Sequence, residues 1–279
     1  MKLSRRNFLK LAGAAGAGAL LGLKPPPAAA PTQIQTPARA LRLSVGLAHT
    51  IPFQALAQAA EATGLALRLG PYAGKTVAEA IDGYDLAVVP AHILTGLIQR
   101  GLVRELEPVP APALPQRAYD PLNAFSLPAN RGVIGILSRG ITPPASWTEF
   151  FALARTEPVH LPPADSFRAA LKSLGHSINT RDALARAQAK SLISTLRVQS
   201  TSLEQAALAV GHSLNTAGWT FTLPAEGAEL WEDCFCIPTT SPRPDLAQAF
   251  IEAAVAAESL PPLPASESPL EPLSPFAPA

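Results

Sequence analysis

Very little of this sequence is charged, aromatic or sulfur-bearing. Charged residues make up 15 % of the 279, against the ~25 % usual for a globular chain. The formal net charge is +1 and no basic stripe or block interrupts the chain, which excludes an electrostatically bound nucleic-acid partner. Cys234 and Cys236 are the only cysteines. Two residues apart on a strand they share a face, and a bridge between them would be badly strained. No disulfide framework is therefore expected. The favoured reading is a pair of small buried apolar residues; a redox pair or half of a metal site are the alternatives. The chain has no G-x-S-x-G, no phosphate-binding loop and no G-x-G-x-x-G, so the usual hydrolase and nucleotide signatures are missing. Its five histidines (His49, His92, His160, His176 and His212) are scattered and lack metal-site spacing. No cofactor, no metal and no catalytic residue is expected.

What is abundant is proline. The 30 prolines are twice the usual ~5 %, and they gather in loops and from Pro261 onward. The N-terminus is also distinctive. Lys2, Arg5, Arg6 and Lys10 form a basic segment, Leu11 to Leu23 is apolar, and Pro25 to Ala30 is a small-residue stretch. That is the layout of a secretory signal. The apolar run is shorter than the roughly 20 residues a spanning helix needs, which argues against a membrane anchor. Ser4-Arg5-Arg6-Asn7-Phe8-Leu9-Lys10 resembles the twin-arginine export motif. Ala28-Ala29-Ala30 and Ala38-Arg39-Ala40 are the candidate cleavage sites, and no cysteine follows the apolar run to carry a lipid. The expected location is the periplasm, reached folded through the twin-arginine translocase, as a soluble monomer.

Beyond the signal, helical and strand patterns alternate. Strands are predicted at 41–47, 65–69 and 85–89, and helices at 52–63, 77–81 and 91–100. The apolar run Asp85-Leu86-Ala87-Val88-Val89 suits a strand buried on both faces of a parallel sheet, and the order argues for an open α/β sheet. After an irregular stretch at 108–121, Asn130-Arg131-Gly132 reads as a turn before a strand at 133–137. Ser146-Trp147-Thr148-Glu149 is a helix-capping pattern. Val159 to Leu161 is a short strand. Asp165, Thr180 and Ser202 are read as caps of three further helices, the last reaching Val210. Strands follow at 219–223 and 234–237, then a helix from Pro244 to Glu258, after which regular structure is expected to stop. His49 and His92 follow strands of the first group, where open sheets line their crevice. Glu226, Glu229, Glu232 and Asp233 surround Trp231. Such a cluster suits a cation; it is equally read as a solvated acidic loop leading to a core tryptophan.

Four stretches, in order, resemble bacterial periplasmic solute-binding proteins of the spermidine/putrescine type. They are YDLAVVPAHILTGLIQRGLVRELE (84–107), DPLNAFSLPANRGVIGI (120–136), FRAALKSLGHSINTRD (167–182) and TLPAEGAELWEDCFCIPTTSPRPDLAQAFIEAAV (222–255). The resemblance implies an α/β, two-lobe, type II periplasmic binding protein fold with a central cleft. It also implies an ABC transporter permease as partner and a small solute as ligand, a polyamine by resemblance. The implied division is 1–40 signal and linker, 41–126 first lobe with return segment 234–259, 127–233 second lobe, and 260–279 Pro-rich tail. No enzymatic activity is implied.

The family's ligand residues carry over unevenly. Its Trp and Asp of W-x-D fall on Trp231 and Asp233, and a Glu at the start of a second-lobe helix falls on Asp165. The acidic partner of that Glu falls near Pro162. The aromatic W-T-x-Y falls on Leu47-Ala48-His49-Thr50, and S-x-Y on Ala91-His92-Ile93. Arg131 replaces a pocket Trp, and another falls near Val210. The expected ligand contacts are thus Trp231, Asp233, Asp165, His49, Thr50, His92 and Arg131. A gained arginine is unsuited to a di- or tri-cation, so a small anionic or mixed-charge solute rivals the polyamine. A degenerate sensor or accessory envelope protein of the same fold, and an exported enzyme, are the other readings.

Overall fold

The computed structural model describes residues 40–44, 53–70, 76–109, 117, 119–196, 201–214, 217–257, 263 and 268–274. The first part winds as expected from its apolar periodicity. β1 (Ala40–Ser44), α1 (Phe53–Thr63), β2 (Ala66–Gly70), α2 (Val77–Ile81), β3 (Leu86–Pro90) and α3 (Ala91–Gln99) follow one another, with β2 and β3 both parallel to β1. Every residue of β3 is buried, as a strand covered on both faces requires. Thr76 and Glu79 form a reciprocal cap on α2.

The second part comprises β4 (Leu127–Ser138), α4 (Trp147–Leu153), β5 (Val159–His160), α5 (Pro163–Ser173), α6 (Ala183–Leu196), β6 (Leu208–His212), β7 (Thr220–Thr222) and β8 (Ala228–Cys236). α7 (Pro244–Ala257) and β9 (Leu270–Pro272) close the described chain. The strands form one sheet in the order β2-β1-β3-β8-β4-β6-β5, with β7 beside β4 and β9 beside β8. β8 is antiparallel to β3 through its last residues and to β4 along most of its length.

Three buried clusters divide the molecule. Phe235 and Ile237 join Leu56, Val88, Phe250 and Ile251 on one face of the first half of the sheet. Cys234 and Cys236 join Val89, Leu94 and Leu97 on its other face. The alternation follows from the two-residue period of a strand and bears out the reading of both cysteines as buried apolar residues; both are free thiols. The third cluster gathers Ile134, Ile136, Trp147, Phe150, Val210 and Trp231 under α4, α5 and α6. β4 and β8 run through both halves, so the fold is two lobes sharing a pair of long crossing strands.

Several expectations are corrected. Asn130-Arg131-Gly132 is no turn: β4 runs through it, with a bulge between Pro128 and Asn130. The stretch after Ser202 makes one hydrogen-bonded turn and then becomes β6. The acidic stretch around Trp231 is strand β8, with Glu229 and Asp233 buried. Asp165 lies in the first turn of α5 behind the cap residue Pro162. At α6, Asp182 accepts from Leu184 N at 2.9 Å and Thr180 from Asp182 N at 3.2 Å. Finally, regular structure does not stop after α7, because β9 pairs parallel with β8 at residues 228–230. The signal, His49 and Thr50 lie outside the described residues. Among the described residues no helix is long and apolar enough to cross a membrane.

Candidate functional site

The crossing of the lobes is built by three strands. Asp233 on β8 stands opposite Pro90, the last residue of β3, on one side and Asn130 of β4 on the other. Pro90 ends its strand, where the missing N–H is tolerated. The β4 bulge lies next to Asn130, and bulges re-aim side chains near sites. Asp233 is fully buried and Trp231 is 3 % exposed. Trp231 faces Gly132 and meets His212 of β6 edge-on, centroids 5.4 Å apart.

Sequence reasoning grouped seven residues here, and the structure brings some of them together. Trp231 and Asp233 sit on one face of β8. Arg131 is the β4 residue opposite Glu232, so by the same alternation it lies on the other face of the sheet from Trp231 and Asp233. His92 is the second residue of α3, half-buried, just beyond Pro90. Asp165 lies apart. Its carboxylate accepts from Arg168 Nη2 at 2.7 Å, and Arg168 Nε also donates to Glu229. Glu229 is four residues from Asp233, about 13 Å at the usual rise of ~3.3 Å per residue.

A polar cluster that sequence reasoning missed holds the neighbouring segment. Arg117 Nη1 donates to Glu232 Oε1 at 2.9 Å, and the Tyr119 hydroxyl donates to the same oxygen. Arg117 also donates from Nε to Asn123 Oδ1 at 3.1 Å. Burial alone would lower the Arg117 pKa, but Tyr119, Cys234 and Glu232 around it raise it overall. Burial likewise pushes the Tyr119 hydroxyl well above its ordinary range, so it serves as a donor. Asp120 clamps the following turn by accepting from Ala124 N, Phe125 N and Ser126 Oγ at 2.9–3.0 Å. The D-P-x-N stretch noted in the sequence is therefore a structural clamp. Its one readable signal was Asp120 with Asn123, a pair suited to a tight turn.

One face of β8 at the crossing carries the buried Asp233 carboxylate and the Trp231 indole, and the other carries Glu232 with its partner Arg117. Among the described residues no group of three or more metal-ligating side chains converges.

Known proteins share this architecture. A Streptococcus pneumoniae spermidine/putrescine ABC transporter substrate-binding protein, PotD, superposes with a TM-score of 0.59 at 21 % identity, covering 78 % of each chain. The PotD lipoprotein of Treponema pallidum gives 0.65 at 20 % identity, covering 77 % of this chain and 80 % of that one. The periplasmic binding protein MotA of A. tumefaciens, solved with glucopine, gives 0.57 at 14 %, covering 77 % and 78 %. The fold is that of periplasmic binding proteins. No curated protein matches the sequence. Residues 2–22 match the model of the twin-arginine translocation pathway signal sequence. The chain is thus exported by that pathway, and with this fold its place is the periplasm.

Proposed function

We propose that this protein is the extracytoplasmic solute-binding component of an ABC transporter and has no enzymatic activity. It would hand a small solute to a membrane permease and act as a monomer. The observation that carries this reading is the pair Trp231 and Asp233, buried where β4 and β8 pass between the lobes. In this reading the first lobe is 41–126 with 234–259, the second is 127–233, and the lobes close on the solute by hinge motion of the crossing segments.

The solute class is one that presents an amine to Asp233, with its apolar part against the Trp231 ring. Polyamines are the cargo that the resemblance suggests. His92 and Arg131, with His49 and Thr50, complete the proposed contacts. A second reading, a small anionic or mixed-charge solute, rests on Arg131, His49 and His92.

Thermal shift and titration calorimetry with amines, amino acids and organic acids test the proposal. A saturable rise in Tm with one class supports it. No shift with any solute at high excess sinks it and leaves an accessory protein of the same fold.

A further inference from the structure

At residues 228–230 one edge of β8 pairs with β4, and the chain's own C-terminal segment fills the other. β9 lies parallel there, with Leu270, Glu271 and Pro272 opposite Ala228, Glu229 and Leu230. Ala228 N donates to the Pro269 carbonyl at 3.1 Å. Gly227 makes room for that carbonyl, since a Cβ on residue 227 would stand 2.3 Å from it.

The end of α5 and the segment after it hold the other side of β9. Asn179 Nδ2 donates to the Pro272 carbonyl at 2.9 Å, and its Oδ1 accepts from Ser274 N at 2.7 Å. One side-chain amide thus pairs with the main chain on both sides of Leu273. The Glu271 carboxylate accepts from Asn179 Nδ2 at 3.0 Å, from Ile178 N at 3.3 Å and from Ser177 Oγ, and it meets Lys172 Nζ at 2.6 Å. The Lys172 side chain is 11 % exposed, and an ammonium so shielded requires an anion.

These contacts divide as they do in strand-addition sites, where main-chain hydrogen bonds hold an extended segment and a pocket selects a side chain. β9 itself is only half-buried, and neither Leu270 nor Leu273 joins the three buried clusters. A cavity of about 500 Å³ lined by Lys172, His176, Ser177, Glu226 and Glu271 opens beside the ion pair. An incoming carboxylate therefore has a path to Lys172.

We propose that this groove is a peptide-docking site of the second lobe, with residues 269–274 as its resident occupant. An extended acidic segment of a partner protein enters by displacing them. It adds to β8 as β9 does and sets its own carboxylate on Lys172. The site stands whether or not a solute binds at the crossing.

The test is fluorescence polarisation of a labelled peptide with the sequence of residues 268–274, titrated with the full chain and its Glu271→Ala variant. In the parent the tethered tail competes at an effective concentration on the order of millimolar, so weak binding is expected. Glu271→Ala loosens the tail and frees Lys172, and it is expected to bind the peptide about tenfold tighter or more. Glu271→Gln removes only the charge, keeps more of the parent's stability, and is expected to show a smaller gain in the same direction. The same peptide carrying Glu271→Gln is expected to bind the Glu271→Ala protein about tenfold more weakly. Folded variants that bind the acidic peptide no better than the parent overturn the inference. Equal binding of the acidic and the amide peptide also overturns it, because Lys172 then selects nothing.

Discussion

The Trp231 ring lies so close over Gly132 that a Cβ at residue 132 would stand 2.7 Å from Cζ2. Glycine at this position lets the indole pack against β4 within the core under α4, α5 and α6. Gly132→Ala must therefore displace a buried ring or bend the strand, at a cost of about 1–3 kcal/mol. Urea denaturation is expected to show that loss, together with a shifted tryptophan emission spectrum and weakened solute binding.

Arg117 and Glu232 are both largely shielded from water. Removing one partner of such a pair leaves the other uncompensated, which costs about 3–5 kcal/mol. Arg117→Met is expected to fall in or near that range by denaturant titration. The double variant Arg117→Met/Glu232→Leu, which removes both charges, is expected to recover most of the loss.

Two carboxylates tie stability to acid pH. For Glu226, burial works against the charge, but the N–H groups of Thr148 and Trp147 more than compensate and hold its pKa below the ordinary value. For Glu271, burial is likewise outweighed by Lys172 and Ser177. A carboxyl depressed in the folded state adds stability above its unfolded pKa of ~4.3, and that stability is lost as pH falls through the folded value. The protein is expected to hold constant stability above about pH 5 and to lose it below about pH 4. Glu226→Gln and Glu271→Gln are each expected to be weaker at pH 7 and to show a shallower acid slope.

β9 is held by more than its strand pairing. Lys172 Nζ meets Glu271 at 2.6 Å, and Asn179 Nδ2 donates to the Pro272 carbonyl at 2.9 Å. Gly227, at φ +94°, has Pro269 O 2.3 Å from where a Cβ would sit. Deleting residues 268–279 uncovers the edge of β8 at 228–230, and Gly227→Ala forces the strand away. Both changes are expected to lower Tm, and the deletion to promote association through the bare edge.

The two cysteines are expected to be inert in the native protein. Burial raises the Cys234 thiol well above its ordinary value and pushes Cys236 up to about 12, so neither forms the reactive thiolate at neutral pH. A colorimetric thiol reagent should find none in native protein and two in guanidinium.

Elements were legible where apolar runs and caps obey simple periods. Leu86 to Val89 is apolar at every position, as a doubly covered strand must be, and Ser146 with Glu149 caps α4 as its spacing suggests: Glu149 N donates to Ser146 Oγ at 3.0 Å. Local rules failed where tertiary pairing outweighed them. Asn130-Arg131-Gly132 has turn chemistry, yet the partner strand β8 pairs through all three residues. Glu229 and Asp233 look solvated in sequence, but the register of β8 buries both, and Glu229 meets Arg168 there. Of the candidate site, Trp231 and Asp233 came from the resemblance to the family's W-x-D stretch, and their burial on β8 was not legible. Arg117 was not legible either, since its partner Glu232 lies 115 residues away, and neither was Arg168, whose partner Glu229 is 61 residues distant. Such distant pairings leave no local signature.

The most direct measurement is titration of the purified protein with small amines, amino acids and organic acids, followed by tryptophan fluorescence and melting temperature, alongside Asp233→Asn and Trp231→Leu. Binding in the crossing requires that at least one solute raise Tm and change the fluorescence of the parent, and that both variants lose affinity by about tenfold or more. A parent that responds to no solute, or an Asp233→Asn variant that binds as tightly as the parent, would contradict it.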